Sequence, residues 1–286
     1  MRTEHGSTTM PDAAPGPGAA ARGKGNVMGV LVDLVDYDQA TGQVLAAARD
    51  RRPLSVTALA VHGVMTGVRD PAHQRRLNTF DLVAPDGQPV RWALNLLHRA
   101  DLRDWVSGPE LALRVLEQMA REDLPVYLYG ATPETLDRLR ASLTRRVAGL
   151  RIGGAEPSRF RTASPGEEIA IADRIRRSGA RLVLVGLGCP RQEIFTYRMR
   201  QLLDIPVMAV GAAFDYHAGL RRRAPHWMER SGLAWLWRLA QEPTRLWRRY
   251  LLLNPEYLAR LAAQKAGLWR PQPALVTDRP PEAIPI

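Results

Sequence analysis

Short apolar segments alternate with longer helical ones between residues 54 and 211, and this alternation is what most constrains the fold of the chain. The candidate strands are 54–61, 81–84, 125–129, 150–153, 182–186 and 206–211. Helical patterns occupy 64–78, 89–98, 109–122, 133–147, 165–178 and 191–203. Short apolar strands separated by helices are typical of a mostly parallel sheet covered on both faces, so the sequence predicts an α/β fold.

The composition divides the chain into four parts. Residues 1–26 are rich in Ala, Gly, Pro and Ser and are predicted to be disordered, and residues 27–219 hold the α/β core. After Gly219 the strand patterns stop and short helical segments follow, so 220–266 is predicted to form a helical appendage, called the appendage below. Residues 267–286 are rich in Pro and are predicted to be a disordered tail.

Positive charge is concentrated in and around the appendage. The chain has 40 Lys and Arg against 29 Asp and Glu, and a net charge of +11. Most of this excess lies between residues 219 and 270, together with Trp227, Trp235, Trp237, Trp247 and Trp269. An excess of this kind favours an anionic partner, namely nucleic acid, an anionic lipid surface or a phosphate-rich substrate.

Three arginines of the appendage are spaced seven and three residues apart, at Arg238, Arg245 and Arg248. On a continuous helix these spacings share one face, although Pro243 is predicted to begin a new helix between the first two. The planar guanidinium suits phosphate oxygens, and neighbouring Trp side chains suit the headgroup region of a membrane. The alternative is a solvated basic face with Trp packed into a core.

Cys189 is the only cysteine, which excludes a disulfide within the chain and fits a reducing cytoplasm. No uninterrupted apolar run reaches the about 18 residues that a membrane span needs. The N-terminus lacks an apolar core followed by a cleavage site, so no signal peptide is expected.

Asp86 lies in a Pro-Asp-Gly turn directly after a candidate strand. A carboxylate at such a strand end is well placed to meet a ligand, as a general base or as a partner for a sugar hydroxyl or a metal. The alternative is an ordinary Asp-Gly turn.

A second turn, from Gly186 to Glu193, follows the strand 182–186 and opens a helix. Gly186 and Gly188 let the backbone approach a ligand closely, and a helix N-terminus attracts phosphate. The glycine spacing matches neither a dinucleotide fingerprint nor a P-loop. Arg191 and Gln192 could meet a diphosphate or a base, whereas Cys189 is interpreted as a small buried residue rather than a nucleophile. The alternative is a simple strand–helix turn.

Asp215 follows the last candidate strand and could bind sugar hydroxyls. His217 and His226 lie near it in sequence, but their spacing matches no standard metal site. They are therefore interpreted as ordinary surface or hydrogen-bonded histidines, and no metal is expected.

The order and spacing of seven segments resemble the WecG/TagA/CpsF family of bacterial glycosyltransferases over most of 54–257. The segments are VHGVMTGVRDP, LVAPDGQPV, VSGPEL, VYLYGAT, VGLGCPRQE, AVGAAFDYHAGLRRRAPHW and GLAWLWRLAQEPTRLWRRYLLLNP. The resemblance implies a Rossmann-like core and an inverting transfer, with no required metal and no cofactor, from a UDP-sugar to a polyprenyl-diphosphate-linked sugar. It implies action at the inner face of the cell membrane as a peripheral protein, in exopolysaccharide, capsule or cell-wall polymer synthesis. Self-association through the core is a further possibility of the family.

The resemblance also assigns roles to residues of this chain. Asp86 matches the proposed catalytic base, and Gln192 and Asp215 match positions near the nucleotide-sugar. The three appendage arginines match groups that neutralise diphosphate charge. The chain departs from the family pattern at 57–62 and at Trp105, where contacts to the donor sugar are expected, and His62 is a candidate for a replaced contact. The donor sugar is therefore left open.

Two other functions remain open at this point. A basic module that binds nucleic acid or anionic lipid would account for the Arg and Trp but would leave Asp86 and the glycine turn unused. A non-catalytic relative that binds a UDP-sugar would not require Asp86. The predicted partners of the enzyme are a UDP-sugar, the lipid-linked acceptor and the membrane surface, without nucleic acid.

Overall fold

A computed structural model describes residues 23–159, 161 and 163–274. The chain enters through a β-hairpin, β1 Lys24–Val27 and β2 Val30–Asp33, in which Lys24 pairs with Asp33. Residues 24–26 were predicted to be disordered, and that prediction is wrong because they form β1. The rest of the predicted N-terminal segment, residues 1–22, lies outside the described residues.

The centre of the molecule is a six-stranded parallel sheet in the order β4-β3-β8-β7-β5-β6. Its strands are β3 Leu54–Leu59, β4 Leu82–Pro85, β5 Val126–Gly130, β6 Ile152–Glu156, β7 Leu182–Gly186 and β8 Pro206–Ala209. The predicted α/β fold with a mostly parallel sheet is confirmed. Because all six strands run the same way, their carboxyl ends meet at one edge, where α/β proteins bind ligands.

Nine helices of the described core accompany these strands, of which α1 precedes β3, α9 follows β8 and the other seven connect the strands. They are α1 Tyr37–Arg49, α2 Val61–Arg69, α3 Pro71–Asn78, α4 Gln88–His98, α5 Gly108–Arg121, α6 Pro133–Arg146, α7 Pro165–Arg177, α8 Arg191–Leu202 and α9 Ala213–His217. The helix predicted over 64–78 is two helices. Asp70 ends α2 and caps α3, since its carboxylate accepts from the N–H groups of Ala72 and His73 while Pro71 occupies the first turn.

Alternate residues of the strands face opposite sides of the sheet. Val56, Leu128 and Met208 pack with α1, α5 and α6 on one side. On the other side, Val83 packs with the hairpin, α2 and α4, and Val207 packs with α7 and α8. Most of the sheet is thus buried on both faces, which explains why most residues of β3, β4, β5, β7 and β8 are apolar, whereas the edge strand β6 is only partly buried.

The appendage contains α10 His226–Arg230, α11 Ala234–Gln241 and α12 Pro243–Lys265. Pro243 begins a helix as predicted, but Pro255 does not end it, and α12 runs on for 23 residues. Tyr257 explains this continuity because it is only 1% exposed and donates from its hydroxyl to the Pro89 carbonyl at 3.0 Å. The second half of α12 is therefore part of the core packing.

The chain after α12 lies against the N-terminal hairpin. The Asn26 amide donates to the Pro271 carbonyl at 2.8 Å, and the Asn78 amide donates to the Ala274 carbonyl at 2.9 Å. These contacts place residues 271–274 on the core, although they were predicted to belong to the disordered tail. Residues 275–286 lie outside the described residues.

Candidate functional site

A cleft of ≈ 860 Å³ lies over the carboxyl ends of β3, β4, β7 and β8. One wall comes from the turns that follow these strands, and the other comes from α11, α12 and the segment that leads into them. Six of the residues singled out in the sequence line its core wall: His62, Asp86, Gly186, Gly188, Gln192 and Asp215. The sequence-derived candidates of the core therefore converge on one cavity.

Asp86 is positioned by the strand that it follows. Its N–H donates to the Leu59 carbonyl at 3.1 Å, which continues the pairing of β3 with β4. Gly87 then turns the chain into α4 with φ +78°, a conformation that favours glycine. The half-buried carboxylate accepts a hydrogen bond from the N–H of Gly108, the first residue of α5.

The electrostatic surroundings of Asp86 come from both walls of the cleft. Burial raises its pKa to about 6, and the Glu229 carboxylate of α10 adds to that increase. The Gly108 N–H, Arg238 and Arg223 act in the opposite direction. A carboxylate with a pKa near 6 is ionised at neutral pH yet basic enough to accept a proton from a hydroxyl during a reaction.

Tyr37 fixes the α5 turn that supports Asp86. Its hydroxyl accepts from the Ser107 N–H at 3.0 Å and lies 3.1 Å from the Ser107 hydroxyl. Ser107 is the residue before Gly108, so the orientation of the Gly108 N–H depends on this contact. The sequence motifs around Asp86 give no sign of this contact, because Tyr37 lies 70 positions before Ser107 in the chain.

Gln192 is held in place by hydrogen bonds with Gly188 and Glu193 and by close packing against Gly211. Its Oε1 accepts from the Gly188 N–H at 3.2 Å, and its Nε2 donates to Glu193 Oε1 at 2.8 Å. Thr57 also donates to Glu193 Oε1, at 3.2 Å. A Cβ at Gly211 would lie 2.9 Å from Gln192 Oε1, so glycine is needed there for the amide to pack.

Gly186 has a packing role as well as a place in the cleft. A Cβ on this residue would lie 2.5 Å from the Phe214 ring, so a larger residue would displace the aromatic side chain or the strand end. Gly188 has φ +75° and open space around its Cα. The turn is therefore tight at its start and open toward the cleft at Gly188.

Asp215 lies at the start of α9 and is paired with Arg221 at 2.9 Å. Arg221 also contacts Glu242 at 2.7 Å, which ties this end of the core to the appendage. His217 Nε2 contacts the Pro109 carbonyl at 2.9 Å, and His226 Nδ1 lies 3.9 Å from Glu229. These contacts agree with the interpretation of both histidines as ordinary hydrogen-bonded or surface residues.

The three predicted appendage arginines occupy different positions. Arg238 and Arg245 line the cleft, whereas Arg248 is exposed and lies 5.2 Å from the centre of the Trp247 ring, outside the cleft lining. Arg245 pairs with Glu242 at 2.6 Å. Among the described residues, no carboxylate lies within 4 Å of the Arg238 guanidinium. Arg238 is thus a cation that faces the cleft without a close counter-ion.

Arg223 and Glu229 are two further charged residues of the cleft, and neither was assigned a role there from the sequence. Arg223 contacts Glu110 of α5 at 3.2 Å and Glu229 of α10 at 3.4 Å. The run Arg221–Arg223 indicated positive charge, but Glu110, the partner of Arg223 on α5, lies 113 positions away in sequence. Trp105, noted as a departure from the family pattern, is buried in the cleft wall.

The outer surface of the appendage is apolar at several positions. Trp227 is 63% exposed, and Leu251, Leu252 and Leu258 are each about 60% exposed. Within the part of the chain that the structure describes, no helix is both long enough and apolar enough to span a bilayer.

Comparison with known protein families gives a match that includes the residues of both walls of the cleft. A family model described as the glycosyl transferase WecG/TagA/CpsF family matches residues 25–271. The matched range begins in β1, contains the whole sheet and the appendage, and ends after α12.

Proposed function

Because the chain belongs to the WecG/TagA/CpsF family of glycosyltransferases, we propose that it moves a sugar from a UDP-sugar to a polyprenyl-diphosphate-linked sugar. The observation that supports this most is the arrangement at the centre of the cleft. The Asp86 carboxylate, held at the N-terminus of α5, faces a wall that carries Arg238. A base and a cation on opposite walls suit an acceptor that carries both a nucleophilic hydroxyl and a diphosphate.

In the proposed reaction, a hydroxyl of the acceptor sugar attacks the anomeric carbon of the donor from the face opposite the diphosphate. Asp86 takes the hydroxyl proton as the new C–O bond forms. The bond between the anomeric carbon and UDP breaks, and its electron pair leaves with UDP. The anomeric configuration is inverted, and no metal ion takes part in any step.

The donor is proposed to bind on the core wall. Gly186, Gly188 and Gln192 supply a turn where backbone and amide groups can approach the nucleotide, at the start of α8. Asp215 and His62 line the same wall and are assigned to the donor as well. Asp215 would accept hydrogen bonds from sugar hydroxyls, while its ion pair with Arg221 orients the carboxylate.

The acceptor diphosphate is proposed to bind on the appendage wall, to Arg238 and Arg245. A smaller pocket of ≈ 330 Å³ adjoins the cleft and shares Asp215, Arg221 and Arg238 with it, which gives space for a second phosphate-bearing group. Arg248 is assigned to the membrane surface instead, together with Trp247, because it lies outside the cleft lining.

The exposed leucines and tryptophans of the appendage support peripheral binding to the inner face of the cell membrane. Basic residues near an anionic surface contribute roughly 1 kcal/mol each, and apolar side chains add to this when they enter the interface. The lipid-linked acceptor resides in that membrane, so the same surface would bring the cleft to its substrate. The product would feed a cell-envelope polymer such as exopolysaccharide, capsule or wall polymer.

A panel of UDP-sugars tests the proposal, with a polyprenyl-diphosphate-linked sugar supplied in anionic vesicles. UDP release and the mass of the lipid product are measured together. We expect one donor to give UDP and product in equal amounts. No UDP release from any donor, combined with salt-dependent binding to vesicles or single-stranded DNA, would favour a basic binding protein instead.

A further inference from the structure

Three potential metal ligands meet behind the turn that precedes α8. They are His73 of α3, Cys189 of the turn and Glu193 of α8, and one ligand atom of each lies within 4.8 Å of the other two. His73 and Glu193 are completely buried, and Cys189 is half-buried. Cys189 and Glu193 also line the cleft, so the cluster lies between α3 and the cleft.

Two of these side chains have a buried polar atom without a hydrogen-bond partner among the described residues, His73 Nε2 and Glu193 Oε2. Thr196 Oγ1, one helical turn after Glu193, is a third such atom. A buried polar atom that lacks a partner costs about 1–3 kcal/mol, and most buried polar atoms in proteins are satisfied. Two of these atoms, His73 Nε2 and Glu193 Oε2, belong to residues of the cluster, and an ion bound between them would satisfy both.

The ligand set selects the chemical class of the occupant. A thiolate, an imidazole and a carboxylate together favour Zn²⁺ and similar borderline cations, whereas Mg²⁺ and Ca²⁺ favour oxygen ligands alone. We propose that His73, Cys189 and Glu193 bind one divalent cation of the Zn²⁺ class, with the fourth coordination position open toward the cleft. Metal–ligand bonds of about 2.0–2.3 Å place tetrahedral ligand atoms about 3.3–3.8 Å apart. The three ligand atoms, which lie within 4.8 Å of one another, would therefore move closer together when the ion binds.

The neighbours of the cluster are compatible with this arrangement. Thr57 and Gln192 both donate to Glu193 Oε1, which fixes the carboxylate plane. The Cys189 thiol also interacts with this carboxylate, and an ion would take the place of the thiol proton between them. Cys189 Sγ lies 4.0 Å from the Thr66 hydroxyl.

One neighbour must move when the ion binds. Arg76 Nη1 lies 3.4 Å from His73 Nδ1, and an imidazole bound to metal through Nε2 carries its proton on Nδ1. The Arg76 side chain is partly exposed and can turn toward solvent. Arg76 therefore weakens the site, and its removal is expected to strengthen binding.

The ion would connect α3 to the turn that holds Gln192, away from the atoms that react at Asp86. Its proposed effect is to stabilise this turn, and no step of the transfer passes through it. If no ion binds, the proposed transfer reaction is unaffected. If the transfer reaction is not observed, the proposed ion site is unaffected.

Cobalt titration of the chelator-treated full chain tests the proposal, under a reductant that does not bind metal. We expect one equivalent of Co²⁺ to give a thiolate-to-cobalt charge-transfer band, which Zn²⁺ removes by competition. Cys189→Ser should abolish the band, and His73→Gln should weaken Co²⁺ binding about tenfold or more. His226→Gln, at an exposed histidine, is the matched control and should bind as the wild type does.

Arg76→Gln keeps the test informative if a variant of the buried ligands fails to fold, which circular dichroism would reveal. We expect this variant to bind Co²⁺ several-fold more tightly than the wild type. A wild-type Co²⁺ spectrum without a thiolate band, or a band that survives in Cys189→Ser, would overturn the proposal.

Discussion

The two walls of the cleft are held in different ways. On the core wall, Asp86 and Gln192 are fixed by backbone hydrogen bonds from Gly108 and Gly188 at strand ends of a sheet buried on both faces. On the appendage wall, α11 has no buried residue, and the ion pairs of Arg221 and Arg223 are partly exposed. Exposed ion pairs contribute about 0–1 kcal/mol each, so the appendage wall is the more adaptable one.

In the proposed reaction, this difference separates two tasks within one site. A base must be held within a narrow geometry, and the core wall provides that through buried contacts. A surface that captures a lipid-linked substrate must adapt to a membrane, and the outer surface of the appendage provides exposed leucines and arginines. α12 joins the two, because its second half is packed into the core through Tyr257 while its first half faces outward.

The largest effect that separates the arginines is expected at Arg238. Arg238→Gln should lower kcat/KM about 10- to 150-fold, since the loss of a charge-assisted hydrogen bond costs about 1.5–3 kcal/mol. Arg248→Gln is the matched control, because it removes the same charge from the same appendage outside the cleft. Steady-state kinetics with a short-chain, water-soluble acceptor measures both. Equal losses would show that position in the cleft does not matter.

A second effect concerns how strongly the outer surface of the appendage binds to anionic vesicles. Leu251→Asp should weaken binding to anionic vesicles about tenfold or more, because burial of a leucine side chain is worth about 1.5–3 kcal/mol. Ile169→Asp introduces the same charge at an exposed apolar residue of α7. This helix belongs to the α/β core and not to the appendage, so the variant should bind vesicles as the wild type does. Vesicle flotation measures the bound fraction. A similar loss in both variants would remove the distinction between the appendage surface and the core surface.

A smaller effect is expected in the pH dependence. Asp86 must be ionised to act as a base, so kcat/KM should rise as the pH increases through about 6 and then level off. The Glu229 carboxylate raises the pKa of Asp86, so Glu229→Gln should move this rise to lower pH. The pH profile of kcat/KM for the two proteins measures the shift. A profile that moves to higher pH in Glu229→Gln would contradict the assigned sign.

The smallest effect is expected at Thr57. Thr57→Val removes the hydrogen bond to Glu193, which should cost about 1 kcal/mol of unfolding free energy and weaken donor binding several-fold through Gln192. Thr41→Val is the control, since the buried Thr41 hydroxyl has no hydrogen-bond partner among the described residues. Urea unfolding and calorimetry measure the two quantities. An equal loss of stability in both variants would show that the Thr57 contact is not specific.

Much of the core could be predicted from the sequence because its signals are local. Each of the six sheet strands was predicted within a few residues. Asp86, Gln192 and Asp215 were singled out because each follows a candidate strand, and all three line the cleft. The hairpin β1–β2 was missed because its strands are only four residues each and carry little pattern.

The appendage wall was less predictable because its geometry depends on distant contacts. Arg223 and Glu110 are 113 positions apart, and nothing local marks them as a pair. The spacing of the three arginines predicted a shared face, but the break between α11 and α12 separates Arg238 from the other two. The continuation of α12 past Pro255 depends on Tyr257 packing beneath α4, which helix propensity alone does not reveal.

The most direct test of the central proposal is the comparison of wild type with Asp86→Asn in two measurements, donor binding by calorimetry and transfer by UDP release. The account predicts unchanged donor affinity and a loss of transfer of about 10²- to 10⁴-fold, the usual contribution of a general base. Asp137→Asn, at an exposed aspartate of α6, should retain full activity. Transfer by Asp86→Asn close to the wild-type rate would contradict the assignment of Asp86 as the base.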